Sequence, residues 1–500
     1  MYAASHASAK RLSTCLWTRR SVHNYVRARS GTGVHARIPL LAGVTFGAEM
    51  SRGDRAKQED AMSVACVTLP CEQLRQNILL HVQSGATRDP WYGWTCDEAG
   101  GAELAAQVVW FGCFDGHGGP QVSQLLKEKL HYVFEAADPS MVQDTVQYTR
   151  SIGGYFGRFQ GGAMERWVQP ELLARPPPAA RTQEKARTLS ELAQFVHGKS
   201  SDDMVEAEST TSTSTSATSS TTSATSTAKS VGLERYMALD DDIGPQGAGV
   251  PVRHTKRHDV SHMKQACMTM EERATLAWLM MDREVQENEE YLGAGSTASV
   301  LLLHSLDVPT QPWYSSEYLA LTTIQLGDTR FVLCDAETGQ AHPLTQLHHP
   351  DEPTELERLS RQGAGVVTDS FGEVRFMGTL ANTRSFGDTQ TKRYGMTAEP
   401  DVHTHILRGS SFAFVVGFSD GISGVMSDQE VVDECRRARH PQDAARRVMK
   451  YADDLGSDDN ATVICVPLKG WDKRDTAHDH TCSLRNERRS TTDLYRNRRK

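Results

Sequence analysis

Four aspartates in this chain hold the same kind of position. Asp115 closes the apolar run 108–114 (VVWFGCF), Asp328 closes LTTIQLGD, Asp420 closes FVVGFSD, and Asp459 stands just before ATVICV. Glu59 and Asp60, in RGDRAKQEDAMSVA, add an acidic pair ahead of another β-prone run. Carboxylates drawn together by a fold repel one another and raise each other's proton affinity unless a cation sits among them. An all-oxygen donor set selects a hard divalent ion, Mg or Mn, over zinc. Two such ions about 4 Å apart, sharing a carboxylate, form a hydrolytic site for phosphate esters. Gly116 lets the backbone approach an ion closely and offers its carbonyl as a further ligand. His117 stands beside the cluster in FDGHGGP, at a corner between strand and helix. Taken singly, each aspartate is equally a turn or cap residue, and DGHGG equally an ordinary Gly-rich turn. Their joint occurrence points to a metal site.

The elements that must position these groups are legible as patterns. STASVLLLH, YLALTTIQLGD, TRFVLCDAETG, FAFVVGFSDG and ATVICVPL are short, β-prone and unbroken, as expected of strands covered on both faces. DAETGQ reads as a hairpin turn. Behind Gly118, Gly119 and Pro120, the residues Val122, Leu125, Leu126, Leu130 and Val133 recur at helical spacing, and Leu276, Leu279, Met280 and Val285 do the same within 274–291.

The 500 residues suffice for two or three average domains or for one large domain with an insertion. Apolar and charged fractions of 38% and 23% suit a soluble globular protein with a proper core. A net charge of -9 gives no reason to expect nucleic acid or anionic membrane as a partner. No apolar stretch reaches the roughly 18 residues of a transmembrane helix, and a monomer is expected. Ten scattered cysteines read as buried small hydrophobes of a reducing compartment, with no disulfide framework and no structural zinc. Residues 1–44 hold Lys10, Arg11, Arg19, Arg20, Arg27, Arg29 and Arg37 among serines, and no acidic residue precedes Glu49. That is the pattern of a mitochondrial transit peptide, although a solvated basic tail has the same composition. An insertion at about 136–273 contains 209–228, made only of Ser, Thr and Ala and expected to be disordered. Its aromatic flank, with Tyr155, Phe156, Phe159 and Trp167, is expected to dock on the body. The Arg-rich stretch 469–500 has no apolar period and is expected to be an unstructured basic tail.

In chain order, RAKQED, FDGHGG, GAGSTASV, LGDTR, SFGD, FSDGI and SDDNATV resemble the metal-dependent serine/threonine protein phosphatases of type 2C, over about 45–468 with the insertion set aside. The resemblance implies an α+β fold, a four-layer α-β-β-α sandwich of two antiparallel sheets flanked by helix pairs, with 120–134 and 274–291 as one outer pair. It implies two Mg2+ or Mn2+ ions and a weaker third. Asp115 would bridge the two ions with the Gly116 carbonyl on one of them. Glu59 would ligate one ion, and Asp420 and Asp459 the other. Asp60 would accept from metal-bound water, and Asp328 would share the third ion with Asp420. Arg55 matches the arginine that clamps substrate phosphate, a role suited to its planar fork. His117 matches the proposed general acid, though a histidine there could also only order water. Arg384 and Asp388 are expected to support packing and the hydrogen bonds that hold the site from outside, not the chemistry itself, and Asn460 to brace the loop of Asp459. SDGISG lacks the aromatic and acidic pair usual after this motif, and Gln58 stands where Asn is common; neither removes a ligand. The pattern is most similar to the fungal mitochondrial branch. It implies hydrolysis of phosphoserine and phosphothreonine on mitochondrial proteins, in the matrix or intermembrane space, through a binuclear centre with a bridging hydroxide. A pseudophosphatase binding module and a phosphatase of a small phosphorylated metabolite are the rival readings.

Overall fold

The computed structural model describes residues 23–29, 33, 35–81, 90–152, 162–168, 267–361, 363–368, 372, 374–476 and 478–498. The first 22 residues, the Ser/Thr-rich run 209–228, and Tyr155, Phe156 and Phe159 lie outside the described residues.

The chain opens with a hairpin, β1 (Tyr25–Arg29) and β2 (His35–Pro39), followed by β3 (Gly47–Ser51) and β4 (Ala61–Thr68). Helices α1 (Cys71–Leu80) and α2 (Ala102–Ala105) lead into β5 (Gln107–Phe114), the short β6 (Gly116–His117) and α3 (Gln121–Ala136). Next come α4 (Val142–Ser151), α5 (Glu165–Val168) and the long α6 (Met270–Glu287). The strands β7 (Gly295–Ser296), β8 (Ala298–Ser305), β9 (Tyr318–Leu326), β10 (Arg330–Asp335) and β11 (Ala341–Pro343) follow. A smaller region holds α7 (Pro353–Ser360), β12 (Val366–Thr368), β13 (Val374–Phe376), β14 (Phe386–Gly387) and α8 (Thr389–Lys392). The chain then forms β15 (Asp401–Arg408), β16 (Phe412–Phe418), α9 (Asp420–Ser423), α10 (Asp428–Arg436), α11 (Pro441–Leu455), β17 (Ala461–Pro467) and α12 (Cys482–Arg498).

Two five-stranded antiparallel sheets carry the structure, in the orders β15-β9-β8-β5-β4 and β11-β10-β16-β17-β3. The alternation of side chains along each strand sorts the core into layers. In the first sheet Val108, Trp110, Phe114, Val300 and Leu302 pack on Val122, Leu126, Leu130 and Phe134 of α3 and on Ala274, Ala277 and Trp278 of α6. In the second, Val332, Phe414, Val416, Val463 and Cys465 pack on Val431, Val432 and Cys435 of α10 and on Val448 and Ala452 of α11. The residues between these, Val109, Phe111, Leu301 and Leu303 in one sheet and Phe331, Leu333, Val415 and Ile464 in the other, are equally buried. They form the layer between the sheets, where Phe111 meets Phe46, just ahead of β3, edge to face at 5.5 Å. Each such burial contributes about 1.5–3 kcal/mol. The fold is the expected four-layer α+β sandwich. The outer pair of helices is α3 with α6, joined by ring contacts between Phe134 and Trp278 and by Lys129 on Glu284.

Helix starts are set by local chemistry. Thr269 and Glu272 form a capping box at α6, and Ser427 and Glu430 another at α10. DAETGQ turns between β10 and β11 as expected, with Asp335 Oδ1 accepting from the amides of Glu337 and Thr338.

Four expectations are corrected or refined. The stretch 469–500 is not structureless, since it forms α12, anchored by charge rather than by an apolar stripe. Arg485 is fully buried, with Nε on Glu434 Oε1 at 2.9 Å and Nη2 on Asp479 Oδ2 at 2.7 Å. β1 and β2, assigned to the leader, pair with each other and are built onto the body. The His23 and Cys66 backbones bond both ways, and the Gln107 side chain bonds both the amide and the carbonyl of Arg27. Among the described residues a disulfide joins Cys71 and Cys96, where none was expected. In the insertion, Trp167 packs against the first core, and Arg166 forms a buried ion pair with Glu272, Nη2 to Oε2 at 2.7 Å.

Candidate metal centre

The acidic residues meet where the two sheets end side by side. Asp115 follows β5, Asp328 follows β9, Asp420 opens α9 just beyond β16, Asp60 precedes β4, and Asp459 precedes β17. Asp60 is 1% exposed, and its Oδ2 accepts from Ser419 Oγ at 2.9 Å and from Thr462 Oγ1 at 2.7 Å. Its Oδ1 is buried without a hydrogen-bond partner, and so is Oδ1 of Asp328. The backbone of Asp115 is fixed by Thr297, whose amide donates to the Asp115 carbonyl at 2.8 Å, and by Ser296 Oγ on the same carbonyl at 3.0 Å.

Electrostatically these groups form one anionic cleft. Desolvation, followed by the charges of Asp420, Asp60 and Asp328, pushes the Asp115 carboxyl well above its ordinary range. Desolvation lifts Asp60 to about 6, with a further push from Asp459. Partial desolvation and then Asp328 raise Asp420, although part of its surface faces solvent. Among the described residues no group of three His, Cys, Asp or Glu side chains is arranged to hold an ion as it stands. The carboxylates are gathered as electrostatic neighbours, not as a finished ligand shell.

The loop 52–59 closes one side of the cleft. Asn460 donates from Nδ2 to the carbonyls of Arg52 at 2.8 Å and Lys57 at 3.0 Å, and its Oδ1 accepts from the Glu59 amide at 2.7 Å. It therefore braces both Glu59 and its neighbour Asp459. A side chain at Gly116 would collide with the Glu59 carbonyl, so only glycine lets β6 pass this loop. Arg55 stands exposed at the rim, with Nη2 2.5 Å from Asp459 Oδ2.

His117 follows Gly116 on β6. Its Nε2 is 2.9 Å from Asp388 Oδ2, and Ser385 Oγ donates to the same oxygen at 2.5 Å. Burial by itself would lower the His117 pKa, but the bond to Asp388 and the charges of Asp388, Asp328 and Glu59 raise it. Asp388 reaches this position from a left-handed backbone, φ 48°. It thus hydrogen-bonds the histidine directly, the kind of supporting bond expected of it. Arg384 does serve packing, with Nε on Glu355 Oε1 at 3.0 Å and Nη1 on Asp401 Oδ1 at 2.8 Å. Sequence reasoning missed Gly295, which pairs with His117 on β7; a Cβ there would run into His117 Nε2 and lie 2.7 Å from Asp388 Oδ2. The signal available was the stretch GAGSTASV, which also supplies Ser296 and Thr297.

Against this geometry, comparison with known proteins is direct. Residues 253–461 match the family described as Protein phosphatase 2C. Protein phosphatase 2C homolog 4 of Schizosaccharomyces pombe is 45% identical over 178 residues, 35% of this chain and 45% of that protein. "Protein phosphatase 1K, mitochondrial" of Xenopus laevis is 32% identical over 182 residues, 36% of this chain and 45% of that protein. The chain thus spans about half the length of the curated relatives it matches. A serine-threonine phosphatase 2C structure from Toxoplasma gondii aligns with a TM-score of 0.40 and 17% identity, over 85% of this chain and 95% of that one. The chain is thus similar to protein phosphatase 2C proteins, over residues 253–461 by the family match and over some 180 residues in each of these two relatives.

Proposed function

We propose that this chain hydrolyses phosphoserine and phosphothreonine on proteins, with Mg2+ or Mn2+ held in the acidic cleft. The observation that carries the reading is the cleft itself, where buried oxygens of Asp60 and Asp328 lack partners beside the crowded carboxylates of Asp115 and Asp420. Oxygen donors with surplus negative charge suit a hard divalent ion. Asp115, the Gly116 carbonyl, Glu59, Asp420 and Asp459 would hold a pair of ions, with Asp60 directing the water beside them and Asp328 joining Asp420 on a third. When bound, such ions offset phosphate charge and supply a nucleophile at neutral pH.

The chain's own residues bind and orient. Arg55, at the rim, offers two N–H groups to phosphate oxygens and leaves Asp459 to do so. With Nε2 committed to Asp388, Nδ1 of His117 carries the proton for the departing serine or threonine oxygen. The basic composition of the first residues and the printed name of the Xenopus relative support a mitochondrial protein as substrate. The docked hairpin β1–β2 supports a leader that ends before His23, not at residue 44.

Assay of the full chain on a phosphopeptide panel with Mn2+, Mg2+ or EDTA tests the reading. Metal-dependent release of phosphate from phosphoserine peptides is expected. Equal turnover in EDTA would refute the metal, and hydrolysis of small phosphate esters without any of the peptides would move the substrate to metabolites.

A further inference from the structure

The C-terminal helix α12 reaches the turn that carries Asp420. Arg488 Nη2 donates to the Val425 carbonyl at 2.7 Å, and its Nη1 donates to Glu430 Oε1 at 2.7 Å. Val425 lies two residues beyond α9, the short helix that Asp420 opens, and within α9 the Gly424 amide closes on the Asp420 carbonyl at 2.7 Å. Glu430 is buried, and its Oε2 accepts from the Ser427 amide at 3.0 Å and from Ser427 Oγ at 2.9 Å. One guanidinium therefore spans both ends of the segment 425–430, tying its first carbonyl to the carboxylate that caps α10. On the near side, Ser419 is held by Asp60, and Ser457 Oγ holds the Gly421 carbonyl at 2.6 Å. Asp420 sits between these two fixed points.

The anchoring of α12 is independent of that contact. Arg485 is buried on Glu434 and Asp479, while Arg489 bonds Glu434 Oε1 at 2.7 Å and lies 4.4 Å over the Tyr451 ring. Among these three arginines, the contacts of Arg488 alone include the 425–430 segment.

We propose that Arg488 is a positioning residue for the metal centre: through Val425 and Glu430 it fixes the turn that presents Asp420. The inference rests on the metal reading above. Removing the guanidinium takes one donor from the Val425 carbonyl and leaves Glu430 with Ser427 and Tyr451. The turn then gains freedom, and α9 carries that freedom to the Asp420 carboxylate. Residues that orient metal ligands from outside typically change affinity by about 10–100-fold, and Arg488, which bonds the turn and not the carboxylate itself, belongs at the lower end.

The test is calorimetric titration of the full chain with Mn2+, alongside thermal melting and phosphopeptide kinetics. Arg488→Ala is expected to weaken Mn2+ binding about tenfold, to lower kcat at limiting Mn2+ with KM for peptide little changed, and to recover at high Mn2+. Arg489→Ala is expected to lower the melting temperature comparably and leave Mn2+ affinity at the wild-type value. Arg488→Lys reaches only one of the two acceptors and is expected to fall between; it also decides the matter if Arg488→Ala fails to fold. Wild-type affinity in a folded Arg488 variant, or an equal loss in Arg489→Ala, would overturn the proposal. Failure of the wild-type chain to bind Mn2+ at all would instead remove the metal reading on which it rests.

Discussion

Gly295→Ala separates proton donation from every other part of the proposed mechanism. Gly295 has no positive φ, so its backbone accepts alanine without strain. The added methyl meets the imidazole edge of His117 and the Asp388 carboxylate. Both obstacles are side-chain ends, so the fold yields there by letting the pair separate. What is lost is a charge-assisted hydrogen bond, worth about 1.5–3 kcal/mol. If that bond holds His117 in place to protonate the leaving oxygen, the same amount appears in the barrier as a roughly 10- to 100-fold fall in kcat. The assay compares a phosphoserine peptide with p-nitrophenyl phosphate, whose leaving group departs as a stable anion and needs no proton. A fall on the peptide with nearly unchanged aryl phosphate turnover is expected, with Mn2+ affinity unaltered. An equal fall on both substrates would show that the methyl damaged the centre as a whole. No fall on either, with the pair shown to be separated, would remove His117 as the acid.

Three further outcomes follow from the same geometry. Asp115→Asn removes a carboxylate crowded by Asp420, Asp60 and Asp328, so the EDTA-treated variant should melt a few degrees higher than wild type while phosphopeptide turnover is essentially lost; a lower melting point with turnover retained would contradict both the repulsion and the ligand role. A chain starting at His23 should melt like the full chain, whereas one starting at Thr45 uncovers the Gln107 side chain and loses the burial of Val26, about 3 kcal/mol in all; equal denaturant midpoints would show that the hairpin adds nothing. Burial would raise Glu355 and Asp401, but Arg384 holds Glu355 below the ordinary range and Asp401 well below it. Their contribution to stability is therefore fully present above the unfolded values of 4.5 and 3.8 and is lost only as pH falls below these toward the lowered folded values. Arg384→Ala should cost about 3–5 kcal/mol at pH 7 and much less at pH 4, where the unpaired acids can protonate; a pH-independent difference in melting would refute the assignment.

The sheets and the four strand-end aspartates were legible because their signal is local. β5 is buried at every position, so its sequence is an unbroken apolar run, and the residue that ends the run is the residue that ends the strand. The same holds for Asp328 and Asp420. α12 carried no such signal, since what docks it is Arg485, Arg488 and Arg489 on carboxylates of α10, and an arginine reads as solvated until its partner is found. β1 and β2 were hidden likewise: their arginines continue the basic, serine-rich composition of the residues before them, and the bonds that fix the pair come from Cys66 and Gln107. The contacts that shape the cleft are the extreme case. Asn460 reaches Arg52 across 408 positions, and His117 reaches Asp388 across 271. No window along the sequence contains both partners of either bond, and the collision that demands glycine at 295 exists only once those two distant side chains have met. Local pattern therefore reports where a chemical group stands at the end of its own strand, while the orientation of that group is set by distant donors and acceptors that only the folded sheets bring within reach.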